Sequence, residues 1–221
     1  MPREFKDRAE AGRMLGGMLA RYARLPETLV LGLPRGGVPV AFEVARLLHA
    51  PLDVFVVRKL GVPYREELAM GAIARNGVRV LNQRVIETLR IPDWAIDTVA
   101  AREQIELERR ERAYRADRPA REVEGRTVIL VDDGIATGST MRVAVEALRK
   151  LKVGRVVVGT PTAALDTAEE MRREVDEFVA VMTPRDFAGV GLWYEDFSQT
   201  TDQEVCELLK KGGRPLGAAG P

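Results

Sequence analysis

The chain has 221 residues, 46% of them hydrophobic, enough to bury a sizeable core within one domain or at most two small ones. Its 34 basic and 33 acidic residues leave a formal charge of +1, so no polyanionic partner is demanded, and nucleic acid is disfavoured without being excluded. The single cysteine, Cys206, excludes an internal disulfide and a cysteine-cluster metal site.

The sequence is charged from its third residue, and no apolar run approaches the roughly 18 residues that span a bilayer, so a cytoplasmic protein without a membrane segment is expected. Residues 5–24 carry apolar side chains at near-helical spacing, and a short strand, "TLVLGL", follows. "PRGGVPVAFEVARLLHA" reads as a Gly-rich turn and a helix closed by His49, a structural position. "LDVFVVRKL" reads as one strand buried on both faces. A strand, a turn, a helix and a second strand in one sheet imply a parallel pair with a right-handed crossover.

"AMGAIARNGVRVLN" predicts a hairpin turning at Asn76-Gly77. Residues 82–122 form a helical insertion, with a long polar helix over 92–116. The acid-first pairs Glu106/Arg110, Glu108/Arg112 and Glu111/Arg115 suit an exposed helix there. That helix also offers a surface for a second copy of the chain. Beyond it come a strand at 126–132, a helix at 139–151, the strand "RVVVGTP", a helix at 164–173 and the strand "EFVAVM". The alternation predicts one α/β domain over 1–212, doubly wound on a mainly parallel sheet, with a flexible tail at 213–221.

The chemistry concentrates in "VILVDDGIATGST", residues 128–140. Four apolar β-formers lead into Asp132 and Asp133, then into Gly134, Ile135, Ala136, Thr137, Gly138, Ser139 and Thr140. A small-residue loop between a strand end and a helix N-terminus can turn several N–H groups toward one anion, with hydroxyls as further donors. Ionised carboxylates only accept hydrogen bonds, so beside a phosphate they call for hydroxyls or a cation. A ribose 5-phosphate supplies both the phosphate and a vicinal diol. A P-loop is disfavoured because Ser139 rather than lysine follows Gly138. Helix capping alone would explain an acid here, but two adjacent charges behind buried β-formers exceed what a cap needs.

This segment resembles the ribose-phosphate signature of the type I phosphoribosyltransferases, and the layout from about residue 25 to 200 is similar to bacterial members of that superfamily. The resemblance implies binding of 5-phosphoribosyl 1-diphosphate (PRPP) with Mg²⁺ and transfer of the ribosyl phosphate to a nitrogen base, releasing pyrophosphate, with Asp132 and Asp133 catalytic. It implies a pyrophosphate loop at Arg35, Gly36 and Gly37, in "GLPRGGVPVA", where Pro34 and Pro39 would stiffen the ends. Arg58 and Lys59, expected at the end of the next strand, would reach the same diphosphate, although simple exposure also explains them. A mobile loop, "GVPYREELAMGAIA", would follow; its Glu66 and Glu67 are candidate acid–base groups or solvated surface. No protein ligand is assigned to the metal.

A small C-terminal hood over 183–201 would cover the base. It holds Phe187, Trp193, Tyr194 and Phe197 in a chain only 5% aromatic, and core packing competes as the explanation for any one ring. Relatives that use 6-oxopurines usually carry Asp just before the T-G of the phosphate loop. Here Ala136 stands there, which points to adenine, uracil or another heterocycle. A PRPP-sensing regulator without turnover is the alternative on the same fold.

Overall fold

The computed structural model describes residues 4–116 and 118–212. Its elements are, in chain order, α1 (Arg8–Met18), β1 (Thr28–Gly32), α2 (Gly37–Leu48), β2 (Leu52–Val54), β3 (Val57–Val62), β4 (Arg65–Ala74), β5 (Arg79–Leu81), α3 (Gln83–Leu89) and α4 (Asp93–Arg115). They continue with β6 (Thr127–Val131), α5 (Ser139–Lys150), β7 (Arg155–Thr162), α6 (Leu165–Glu174), β8 (Glu177–Met182) and α7 (Asp202–Gly212). The main sheet is parallel throughout in the order β2-β1-β6-β7-β8, and β3-β4-β5 make a separate antiparallel sheet.

The central strands are apolar at most positions because both faces are covered. Side chains alternate between the faces: Val30, Ile129 and Val157 join one core with Leu15, Val44 and Val205, whereas Leu29, Val128 and Val156 join another with Met141, Ala144 and Met171. Helices α1, α2 and α7 therefore cover one face, and α5 and α6 the other. Asp7 caps α1, its carboxylate accepting from the Glu10 amide at 2.7 Å. His49 ends α2 in the left-handed region at φ 52°, the structural position expected of it. No helix among the described residues is long and apolar enough to cross a membrane.

Several expectations need correction. "LDVFVVRKL" is two strands in two sheets. After Val54 the Phe55 amide makes a last bond to the Gly32 carbonyl at 3.0 Å, and the chain then leaves this edge of the parallel sheet to pair with β4. Arg58 and Lys59 thus lie near the start of β3 rather than at the end of a parallel strand. The segment taken for a mobile loop belongs to the β3–β4 hairpin, turned through Pro63 and Tyr64, with Tyr64 at φ 63°. The hairpin through Asn76-Gly77 is present between β4 and β5.

Helix α4 is not merely solvated. Ala95, Ile96, Ala100, Leu107 and Tyr114 are buried, and Arg115 sits in the interior against Asp53 (2.9 Å) and Glu111 (3.2 Å). Helix α7, which no sequence motif announced, packs Val205 and Leu209 into the core. The tail expected at 213–221 lies outside the described residues.

Candidate active site at the crevice between β1 and β6

Strands β1 and β6 are parallel neighbours in register, Gly32 opposite Val131, and both end at the same rim. From β1 the chain crosses through α2 to β2 on one side; from β6 it crosses through α5 to β7 on the other. The strand order reverses between them, which opens a crevice beyond their carboxyl ends, the position where open α/β sheets bind ligands. The Leu33 amide donates to the Val131 carbonyl at 2.9 Å, so the loops after β1 and β6 leave the sheet side by side.

The loop after β6 is tied down by its carbonyls. Ile135 accepts from the Ala164 amide (3.0 Å), Ala136 from the Thr167 hydroxyl (2.7 Å) and Thr137 from the Arg142 guanidinium (2.8 Å). The amides of Ala136, Thr137 and Gly138 have no partner among the described residues, and α5 begins immediately beyond, its dipole adding positive character. Gly138 holds the turn into α5 at φ 72°, a conformation that L side chains rarely adopt. Asp132, Gly134 through Met141 and Val190 enclose a cavity of about 200 Å³. The Thr137 and Ser139 hydroxyls stand 3.1 Å apart at its mouth. A cradle of free amides and hydroxyls at a helix start is suited to a phosphate.

Asp132 and Asp133 stand where β6 gives way to this loop. The Asp132 carboxylate accepts from the Asp133 amide at 2.9 Å. Burial, then the neighbouring Asp133 charge, push the Asp132 carboxyl well above the usual carboxylate range. Asp133 is gripped twice. Arg8 at the start of α1 donates Nε to Oδ2 at 2.9 Å, and the Tyr194 hydroxyl donates to the Asp133 carbonyl at 2.5 Å. Burial pushes the Tyr194 phenol up, so it remains a donor.

The loop Arg35-Gly36-Gly37 abuts the acids directly. A Cβ on Gly37 would come within 2.7 Å of the Val131 carbonyl, so only glycine fits there. The Pro34–Arg35 peptide is cis. The Arg35 side chain has no hydrogen bond or ion pair among the described residues, although its charge acts on the Tyr114 phenol. The other two cations expected at the diphosphate are engaged. Arg58 donates Nη2 to Glu103 of α4 at 2.5 Å, and Lys59 lies 3.6 Å from Glu67. Glu66 lies 3.6 Å from Arg102. These groups line a separate cavity of about 320 Å³ beside the hairpin, not the cavity of the loop after β6.

The aromatic group divides. Phe187 and Trp193 stack at 6.2 Å with planes 23° apart. Tyr194 turns inward, buried against Phe5 at 5.4 Å and Phe197 at 5.1 Å, and makes an isolated β-bridge with Phe5. Tyr194 is thus placed to hold the acids from behind. Sequence reasoning missed Arg8, Thr167 and Val190. A Cβ on Gly134 would meet Val190 at 2.2 Å, and Val190 lines the cavity of the loop after β6. Nothing local marks these residues, since each reaches the site from a distant stretch of chain.

A central parallel sheet with paired acids and a phosphate-sized loop at its switch point is the architecture of a phosphoribosyltransferase. The chain belongs to the phosphoribosyl transferase domain family, which matches residues 8–191. It is 45% identical over 216 residues to a Mycobacterium tuberculosis protein (strain H37Rv) whose name assigns it provisionally to the phosphoribosyl transferases. That match covers 98% of this chain and 48% of the relative, so the chain spans about half the length of that curated relative. The crystal structure of TT1426 from Thermus thermophilus is similar at 41% identity with a TM-score of 0.83, covering 96% of this chain and all of that one.

Proposed function

We propose that this protein binds PRPP with Mg²⁺ and transfers its 5-phosphoribosyl group to a nitrogen base, releasing pyrophosphate. The observation that supports this reading is the close approach of Gly36 to the Asp133 carboxylate, which leaves a glycine-containing loop on either side of one pair of acids. In this reading the 5-phosphate sits on the amides and hydroxyls of 134–140, and Asp132 and Asp133 accept from the ribose hydroxyls. The diphosphate lies toward Arg35-Gly36-Gly37.

The described residues hold no group of three or more His, Cys, Asp or Glu side chains able to ligate a metal. In this reading Mg²⁺ would be bound mainly by phosphate oxygens and water, as this ion often is beside nucleotide phosphates. When bound, it would neutralise charge on the departing pyrophosphate.

The anomeric carbon–oxygen bond breaks with its electron pair leaving on pyrophosphate, while the base nitrogen supplies the pair for the new carbon–nitrogen bond and releases its N–H proton to solvent or to the departing pyrophosphate. Positive charge grows on the ribose ring as the old bond opens. Asp132 and Asp133, fixed before the reaction, stabilise it, while Arg35 meets the leaving group. Neither step needs a covalent enzyme intermediate. Incubation with PRPP, Mg²⁺ and a panel of bases should release pyrophosphate with at least one of them. Saturable PRPP binding without release across the panel would make the protein a PRPP sensor, and no binding would remove both readings.

A further inference from the structure

We infer that Arg8 is a positioning residue for the ribose-binding acid, and that through it the N-terminal segment and the base-side hood set the geometry of Asp133. The inference rests on the PRPP reading above and goes beyond it, because Arg8 lies 125 residues from Asp133 and outside both loops.

One planar guanidinium makes three close contacts, besides lying 5.9 Å from the centre of the Tyr194 ring. Nε donates to Asp133 Oδ2 at 2.9 Å, Nη1 donates to the Ser198 carbonyl at 2.8 Å, and the group lies 4.0 Å from the centre of the Phe197 ring. Both ion-pair partners are largely shielded, with side-chain exposures of 12% and 15%. Such a pair is screened less than one at the surface. Among the described residues Arg8 is the only ion-pair partner of Asp133.

The contact leaves the acid usable. A carboxylate has about four acceptor sites, Arg8 takes one on Oδ2, and Oδ1 has no hydrogen-bond donor among the described residues. A ribose hydroxyl can therefore bind Asp133 while Arg8 stays in place. Tyr194 grips the main chain of the same residue, and Phe5 bridges to Tyr194, so side chain and backbone of Asp133 are fixed from one structural unit. Any shift of residues 194–198 around a base would reach the ribose acid through Arg8.

The test compares Arg8→Lys, Arg8→Gln and Arg8→Met with the wild type. Titration calorimetry would follow PRPP with Mg²⁺, and melting temperatures would be read on the same samples. Loss of the charged hydrogen bond should weaken PRPP by about 10- to 100-fold in the Gln and Met variants. Lys restores the charge without the planar fork, so it should recover much of the affinity at a melting temperature close to that of Gln. Equal PRPP affinity in all four proteins would overturn the inference, as would a Lys variant no better than Gln. A wild type that does not bind PRPP would instead bring down the functional reading and this inference with it. If Met fails to fold, the comparison of Lys with Gln still decides.

Discussion

A Cβ placed on Gly36 would stand 2.0 Å from Oδ2 of Asp133, far inside van der Waals contact. Gly36 has φ −59° and ψ −32°, an ordinary helical conformation, so glycine is required there by space alone. The loop after β1 and the acid after β6 therefore cannot be changed independently, and the two halves of the candidate site form one unit.

Gly36→Ala should accordingly displace the Asp133 carboxylate from Arg8 while leaving the backbone unstrained. Calorimetric PRPP affinity is expected to fall by about 10-fold or more, the scale of one lost charged hydrogen bond. A variant that binds PRPP as the wild type does would separate the Gly36 loop from the ribose acids.

The Asp132 carboxyl predicts an exchange of stability for function. Its pKa lies well above the ordinary 3.8 through burial and the Asp133 charge. Stability from such a group is complete below its unfolded pKa and is lost as pH rises through the raised folded value. Asp132→Asn keeps an oxygen for the Asp133 amide and removes the charge. The variant should melt above the wild type near neutral pH, by about 2–4 °C per kcal/mol relieved, with the gap closing toward pH 4. PRPP binding should weaken in the same protein. Melting curves from pH 4 to 8 check the sign; a gap that widens as pH falls would contradict it.

Arg35 and Arg58 show how much of this site was legible beforehand. The acids, the small-residue loop and the Gly-Gly turn could be read because each is a contiguous run whose chemistry is local, and β1 and β6 could be read from unbroken apolar stretches. Long-range pairing could not. Arg58 and Arg35 look alike in sequence, yet a glutamate 45 residues further on occupies Arg58, whereas Arg35 remains unpaired among the described residues. The break after Val54 was hidden because the apolar run from Val54 to Val57 crosses it with no turn residue, and only the strands' partners differ. Arg8 was hidden because one arginine at a helix start carries no pattern until the hood folds over it.

That difference predicts unequal effects of two arginines. Arg35→Ala should weaken pyrophosphate and PRPP by about 10-fold or more while ribose 5-phosphate is nearly unaffected, because only the diphosphate is expected to reach that loop. Arg58→Ala should instead lower the melting temperature by leaving Glu103, itself buried, with only the more exposed Arg102 as a partner. Titration of the three ligands together with melting curves separates the roles. Equal losses for ribose 5-phosphate and pyrophosphate in Arg35→Ala would move that residue out of the diphosphate site.

If the protein transfers a ribosyl phosphate as proposed, Ala136 constrains the acceptor base. In relatives that use 6-oxopurines, the residue just before the T-G of the corresponding loop is usually Asp, placed to handle the imidazole proton of the base. Ala136 offers a methyl group, and its carbonyl is already held by Thr167. The carboxylates that could substitute are poorly placed or poorly suited. Glu66 and Glu67 face Arg102 and Lys59 at the cavity beside the hairpin, and hydrogen bonds from Ser198 hold the exposed Asp196 below the usual carboxylate range, which makes it a weak base. Asp186 is exposed in the hood and makes no hydrogen bond or ion pair among the described residues. Hypoxanthine and guanine should therefore react more slowly than adenine or uracil, and Asp186→Asn should abolish whatever rate the two oxopurines show. Side-by-side pyrophosphate release with the four bases is the measurement. Faster reaction with the oxopurines, undiminished when Glu66, Glu67, Asp186 and Asp196 are all replaced by amides, would refute the argument from Ala136.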